Sequence, residues 1–239
     1  MVPKGLIETT LHNDEPTVKD SLNREAYAKA LAKVVDNCDT PMVIGLYGTW
    51  GVGKTSLMKQ IEKNLDIERN RPIWFDPWMH QFDENPVLPL AHTILKSLGK
   101  TEREEGKKLL TIIASAIGSS LLKSTLGISA DDIFKLGKMY EEERFQVREN
   151  RVRLREHFES LVQKAIGTGN KKKRLVFFID DLDRCMPNES LRLLEALKLY
   201  LNINGCIYFL GVDRIALEQN IKLCYSNNEL RHSEYLDKM

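Results

Sequence analysis

Apolar residues along this chain gather in four short runs set between longer stretches of helical spacing. The runs are Met42 to Tyr47, Ile73 to Asp76, Leu175 to Ile179 and Cys206 to Val212. Each is strand-length and nearly unbroken, the pattern of parallel strands covered on both faces. Between them the spacing is helical. Leu22, Tyr27, Leu31 and Val34 recur at about one turn each and predict a helix from Asp20 to Val35, capped by Asp20 or Ser21. Asn37 to Pro41 is a loop, and Thr55 to Leu65 predicts a second helix. Pro77, Pro86 and Pro89 punctuate a loop-rich segment before a mostly helical region at about 88–166. Within it, Lys138 to His157 carries dense charge of both signs, the mark of a solvated helix laced with i,i+4 pairs. Pro187 to Leu201 predicts a helix with proline in its first turn, and another begins near Arg214.

Strands alternating with helices imply an α/β fold of three layers. A mostly parallel central sheet is covered on both faces by right-handed crossovers, with the helical region at 88–166 inserted between the early and late strands. All 239 residues read as one domain, with residues 1–20 as an N-terminal arm.

Charge narrows the function classes. The formal net charge is +1, so no global field points to nucleic acid or to an anionic membrane. The basic run Lys171 to Arg174 reads as a solubilising loop ahead of a strand. Leu109 to Leu122 is an uncharged, largely apolar run flanked by Lys108 and Lys123, but a bilayer span needs about 20 residues. It is expected to be a core or interface helix, with membrane contact as the lesser reading. Cys38, Cys185, Cys206 and Cys224 show no CxxC spacing, which predicts thiols in a reducing, cytoplasmic setting rather than a zinc or redox site. No secretory signal opens the chain.

Chemistry concentrates at the strand ends. Gly48-Thr49-Trp50-Gly51-Val52-Gly53-Lys54-Thr55 matches the phosphate-binding pattern GxxxxGK[ST], and it lies between a strand and a helix, as that pattern requires. Gly48, Gly51 and Gly53 let the backbone bring N–H groups near phosphate oxygens, and the helix that follows adds a partial positive charge. Lys54 is expected to bridge the β and γ phosphates, and the Thr55 hydroxyl to ligate Mg²⁺. Ser56, Val52 and Trp50 complete the loop's expected contacts with the nucleotide. The third strand ends in Asp180 and Asp181. Two adjacent carboxylates at the tip of a buried strand are costly without a cation. Asp180 is therefore read as the Mg²⁺ holder and Asp181 as the group that orients or deprotonates the attacking water. Asp183 reads as a cap for the next helix. Asp213-Arg214, at the end of the fourth strand, is placed either to sense the γ-phosphate or to cap the last helix.

At these residues the chain resembles the KAP family of P-loop NTPases, which is placed near the signal-transducing STAND ATPases. Ile44 to Leu57, with a tryptophan inside the loop, is similar to that family's Walker A. Trp74-Phe75-Asp76-Pro77-Trp78-Met79-His80 resembles its "FNAWRH" box, with Asp-Pro in place of Asn-Ala. Ile179 to Cys185 resembles its Walker B, and Phe209 to Arg214 its fourth-strand motif. Leu22-Asn23-Arg24-Glu25 is similar to the "GRE" box that sits by the adenine in related NTPases, with Asn for Gly. The resemblance spans most of residues 13–239 and is weakest at about 88–145.

The resemblance implies an ATPase that uses ATP and Mg²⁺, with Arg24 near the base, working as a regulatory or signalling switch in a setting such as phage defence. It also implies self-association or a protein partner, and no nucleic acid. Many members carry transmembrane helices between the Walker motifs, where this chain has only the 109–122 run. The family segment continues past Met239, so a fifth strand and a lid are expected outside this chain. The alternative is a nucleotide-gated scaffold or membrane-associated adaptor with little hydrolysis. A small-molecule kinase fits less well, because no arginine-rich lid segment is evident. No guanine-reading NKxD-type motif occurs.

Overall fold

The computed structural model describes Pro16 and residues 22–81, 87–117, 147–169, 172–200 and 202–224. Within these, four strands form one sheet: β1 (Met42–Tyr47), β2 (Asn70–Phe75), β3 (Arg174–Ile179) and β4 (Cys206–Val212). Their order is β1-β4-β3-β2, and every pairing is parallel. All four C-terminal ends therefore lie on one edge of the sheet. The registers Tyr47↔Val212, Ile179↔Leu210 and Phe75↔Ile179 bring the residues that follow each strand side by side.

Side chains alternate between two cores, as the period of a strand requires. On one face Val176, Phe178, Ile207 and Phe209 meet Ala28, Ala32 and Val35 of α1 (Glu25–Asn37) and Met58 and Ile61 of α2 (Lys54–Asn64). An aromatic row runs across this face: Trp74 stacks on Phe178 at 4.9 Å between ring centroids, and Phe178 on Phe209 at 5.2 Å. On the other face Phe75, Phe177, Tyr208 and Leu210 join the larger core. That core also holds residues of α3 (Val87–Ser97), α4 (Lys100–Ile117), α5 (Val147–Ile166), α6 (Pro187–Tyr200) and α7 (Arg214–Cys224). The expected three-layer α/β architecture with a parallel sheet is the observed one.

Several expectations are corrected. The first helix begins at Glu25, not at Asp20 or Ser21, both of which lie outside the described residues. Asn23, just ahead of it, has φ 53°, a left-handed turn that stops the helix from extending backward. That turn also accounts for Asn standing where the resembled box has Gly. The buried stripe of α1 is Ala28, Ala32 and Val35, whereas Leu22, Tyr27 and Val34 are exposed. Small residues let α1 lie close to α2, a demand that a search for large apolar residues overlooks. β1 is not doubly buried. Among the described residues it pairs with β4 alone, and Val43 and Tyr47 are exposed.

The apolar run at 109–122 enters the core, where Leu110, Thr111 and Ile113 of α4 are buried; residues 118–122 lie outside the described residues. Among the described residues no helix is long and apolar enough to cross a membrane. Of the charged stretch 138–157, residues 138–146 lie outside the described residues, and the remainder is the first half of α5. The basic run is also more than a solvated loop. Arg174 Nη1 donates to the Val35 and Cys38 carbonyls at 2.5 and 2.9 Å, closing the C-terminal end of α1, where a cation meets the negative pole of the helix. Lys173 Nζ donates to the Ile67 carbonyl at 2.7 Å.

Candidate functional site

The loop from Gly48 to Gly53 joins the end of β1 to the start of α2. Gly51 and Gly53 take φ values of 79° and 88°, a region that a side chain would make costly. Gly53 is the N-cap of α2 and makes no side-chain cap hydrogen bond, so no capping side chain stands at the positive pole of that helix. The Gly48 N–H is held by the Val212 carbonyl at 3.2 Å, which ties the loop to β4. Lys54 Nζ folds back onto the loop and donates to the Gly48 and Thr49 carbonyls at 2.9 and 3.2 Å. An ammonium held by neutral carbonyls is poised to exchange them for phosphate oxygens, which bind it more strongly.

Across the loop stands the end of β3. Asp180 is 7% exposed, yet its carboxylate reaches the Thr55 hydroxyl, which donates to Oδ2. A hydroxyl and a buried carboxylate sharing one spot form the hard-oxygen donor pair that Mg²⁺ prefers beside a triphosphate. Among the described residues no group of three or more His, Cys, Asp and Glu side chains could hold a metal ion unaided. A magnesium ion that brings its own phosphate and water ligands needs only one or two protein oxygens, so the residues present fit it.

Asp181 follows in the left-handed region at φ 58°. Asp tolerates this conformation better than most residues, but it is sparsely populated. The turn lifts the Asp181 carboxylate into the open cavity, away from the buried position of Asp180. Burial pushes its carboxyl above the usual carboxylate range. Asp180 beside it adds to the rise, Arg184 opposes it, and Asp76 and Asp183 add again. Arg184 Nε donates to Asp181 Oδ1 at 2.8 Å. The Arg184 guanidinium also lies over the Trp50 ring, 5.6 Å from its centroid.

These elements enclose a cavity of about 750 Å³. Its lining includes Trp50, Gly51 and Gly53 of the loop, Lys54, Thr55, Ser56 and Lys59 of α2, Trp74, Asp76 and His80 from β2 and the turn after it, and Asp180, Asp181 and Arg184 from the segment after β3. Side chains of the glycine-rich loop and of the segment after β3 thus line one cavity. Gly48 and Val52 frame the loop and are not among the lining residues. Arg24 also stands behind the loop, where its Nη1 donates to the Val52 carbonyl at 2.7 Å. Its place is against the loop backbone rather than on the cavity wall, although Leu22, which like Arg24 lies near Gly53, does line that wall.

Asp213 and Arg214 stand outside the lining. Asp213 Oδ1 accepts from the N–H groups of Ile215 and Ala216 at 3.0 and 3.3 Å, so it caps α7. Arg214 pairs with Glu218 at 2.8 Å and lies over the Tyr47 ring. Asp183 does not begin the next helix but sits inside the 3₁₀ turn Leu182–Arg184, and α6 starts later, at Pro187.

Sequence reasoning missed two participants. Arg184 was visible in the Walker B segment but had no role assigned. Gly211 lies in β4, and a Cβ there would come within 2.6 Å of Asp180 Oδ1 and 2.5 Å of Met58 Cε. Its signal was an isolated glycine inside an apolar strand, which marks a close approach by another group.

The profile of the KAP family P-loop domain matches residues 24–239. A probable disease resistance protein of Arabidopsis thaliana is 26% identical over 122 residues, which is 50% of this chain and 32% of that protein. Among solved structures, the ORC2 protein of Aeropyrum pernix aligns with 91% of this chain and 48% of its own, at a TM-score of 0.39 and 14% identity. The chain therefore spans about a third of the one relative and about half of the other.

Proposed function

The chain belongs to the KAP family of P-loop NTPase domains, and from that premise we propose that it binds and hydrolyses ATP with Mg²⁺ as a regulatory switch. The observation that carries this reading is the hydrogen bond from the Thr55 hydroxyl to the Asp180 carboxylate, in the first turn of α2 and next to Lys54. The backbone N–H groups of Gly51 to Thr55 receive the phosphate oxygens. Lys54 leaves the Gly48 and Thr49 carbonyls for the β and γ phosphates. Thr55 and Asp180 would hold Mg²⁺, which supplies charge neutralisation between those phosphates. Asp181 accepts a proton from water as the water oxygen bonds to the γ-phosphorus and the bond to the β–γ bridging oxygen breaks, giving ADP and phosphate. Burial, the first cause of its upward shift, works in the direction that favours proton uptake.

Adenine as the base, a signalling or phage-defence setting, and a protein partner or second copy that reads the bound state all rest on family analogy. The disease-resistance name of the plant relative is in keeping with a defence setting. A second reading, a nucleotide-gated scaffold with little hydrolysis, has one observation in its favour: Asp181 is already paired with Arg184.

Two variants test the assignment. Lys54→Ala loses ATP and ADP binding by calorimetry, whereas Asp181→Asn retains binding and loses phosphate release. Full ATPase activity in both would refute the site. Retained binding with no turnover in the parent chain, at any protein concentration, would favour the scaffold.

A further inference from the structure

We infer that Arg184 is this chain's own reader of the γ-phosphate, stored on Asp181 and Trp50 until a triphosphate takes it. The inference rests on the ATP-binding reading above and adds to it a residue that discriminates triphosphate from diphosphate.

Three observations converge on Arg184. First, it lines the same cavity as Lys54, Thr55 and Asp180, at the end of the turn that leaves β3. Second, its Nε is held by Asp181 at 2.8 Å, the carboxylate assigned to take the proton of the attacking water. Third, its guanidinium lies over Trp50, which belongs to the phosphate loop and is 74% exposed. One side chain therefore bridges the two halves of the site.

The bridge is built to be exchanged. The side chains of Arg184 and Asp181 are 43% and 26% exposed, and an ion pair that meets water is weakly held. Nε is only one of the five N–H donors on a guanidinium. A terminal phosphate offers more charge than one carboxylate, with oxygens spaced for two-pronged contact with arginine. Transfer of Arg184 to that phosphate places a cation where charge develops in phosphoryl transfer and releases its ion pair with Asp181. ADP has no terminal group of this kind and leaves Arg184 on Asp181.

Calorimetry with ADP and with the β,γ-imido analogue of ATP, both with Mg²⁺, tests this on the full chain. Arg184→Ala is expected to keep ADP affinity within about threefold and to lose about 10- to 100-fold in affinity for the triphosphate. Arg184→Lys should recover part of that loss, since an ammonium can take a phosphate but cannot stack flat on an indole. Tryptophan emission gives a second readout. The triphosphate, but not ADP, should change the emission of the parent; Trp50→Phe should remove the change, and so should Arg184→Ala.

An unchanged triphosphate-to-ADP ratio in folded Arg184→Ala overturns the inference while the ATP reading stands. Equal loss of both ligands overturns it too, because that marks a structural role. A parent chain that binds neither ligand refutes the ATP reading and the inference with it.

Discussion

Gly211→Ala is the sharpest test of how the fold holds Asp180, the carboxylate proposed to hold Mg²⁺. Gly211 sits in β4, one residue past the Leu210↔Ile179 register pair, and so lies beside Asp180. A Cβ there would stand 2.6 Å from Asp180 Oδ1, where ordinary contact begins at 3.4 Å, a shortfall of about 0.8 Å. The second neighbour, Met58 Cε at 2.5 Å, is the end of a flexible side chain and can swing aside. Asp180 cannot do so without cost, because its Oδ2 is engaged by Thr55 and the residue is buried. Overpacking of this kind costs about 1–3 kcal/mol. A misplacement near 1 Å at a reacting centre costs on the order of 100-fold in rate.

The variant should therefore unfold at lower denaturant with an unchanged slope. It should need about tenfold or more Mg²⁺ for ATP binding, while Mg²⁺-independent ADP affinity stays within about threefold. A double-mutant cycle with Asp180→Ala isolates the cause. If Gly211→Ala acts through Asp180, it adds no further change in Mg²⁺ dependence once that carboxylate is gone. Fully additive effects, or an unaltered Mg²⁺ requirement in the single variant, would refute the reasoning.

Two further outcomes follow from cations placed behind the site. Arg24→Ala removes a charge-assisted bond to the Val52 carbonyl and should weaken ADP and ATP alike by about 3- to 30-fold in calorimetry, because the loop loses support without losing a ligand contact. Arg174→Ala uncaps the C-terminal end of α1 and should lower stability by about 1–3 kcal/mol in denaturant titration, with nucleotide affinity unchanged where the protein is folded.

Much of the site was legible because its chemistry is local in sequence. A glycine-rich loop between strand and helix fixes its own conformation, and the carboxylates at the tip of β3 lie where that loop's helix begins. The strand bounds of β1 and β4 were legible for the same reason, since an apolar run limited by turn residues has few alternatives. What failed were judgements that need a partner. The face of α1 depends on how near α2 lies, and so on Ala28 and Ala32 rather than on Tyr27. The exposure of β1 depends on which strand lies beside it, and the role of Gly211 on the register between β3 and β4.

Asp213 and Arg214 show why adjacency to a strand end is not enough to place a residue in the site. Both follow the C-terminal end of β4, on the edge where ligands of open α/β sheets bind. Yet α7 begins at once, at Arg214, and its first N–H groups need an acceptor. Asp213 meets that need and points along the helix. Glu218, one turn further on, draws Arg214 the same way, and the Tyr47 ring covers the guanidinium. After β3 the order differs. The left-handed Asp181 and a 3₁₀ turn come before α6, so Asp181 and Arg184 are not spent on capping a helix and face the cavity. The length and hand of the turn after each strand, more than the residue types in it, decide which polar side chains the site receives.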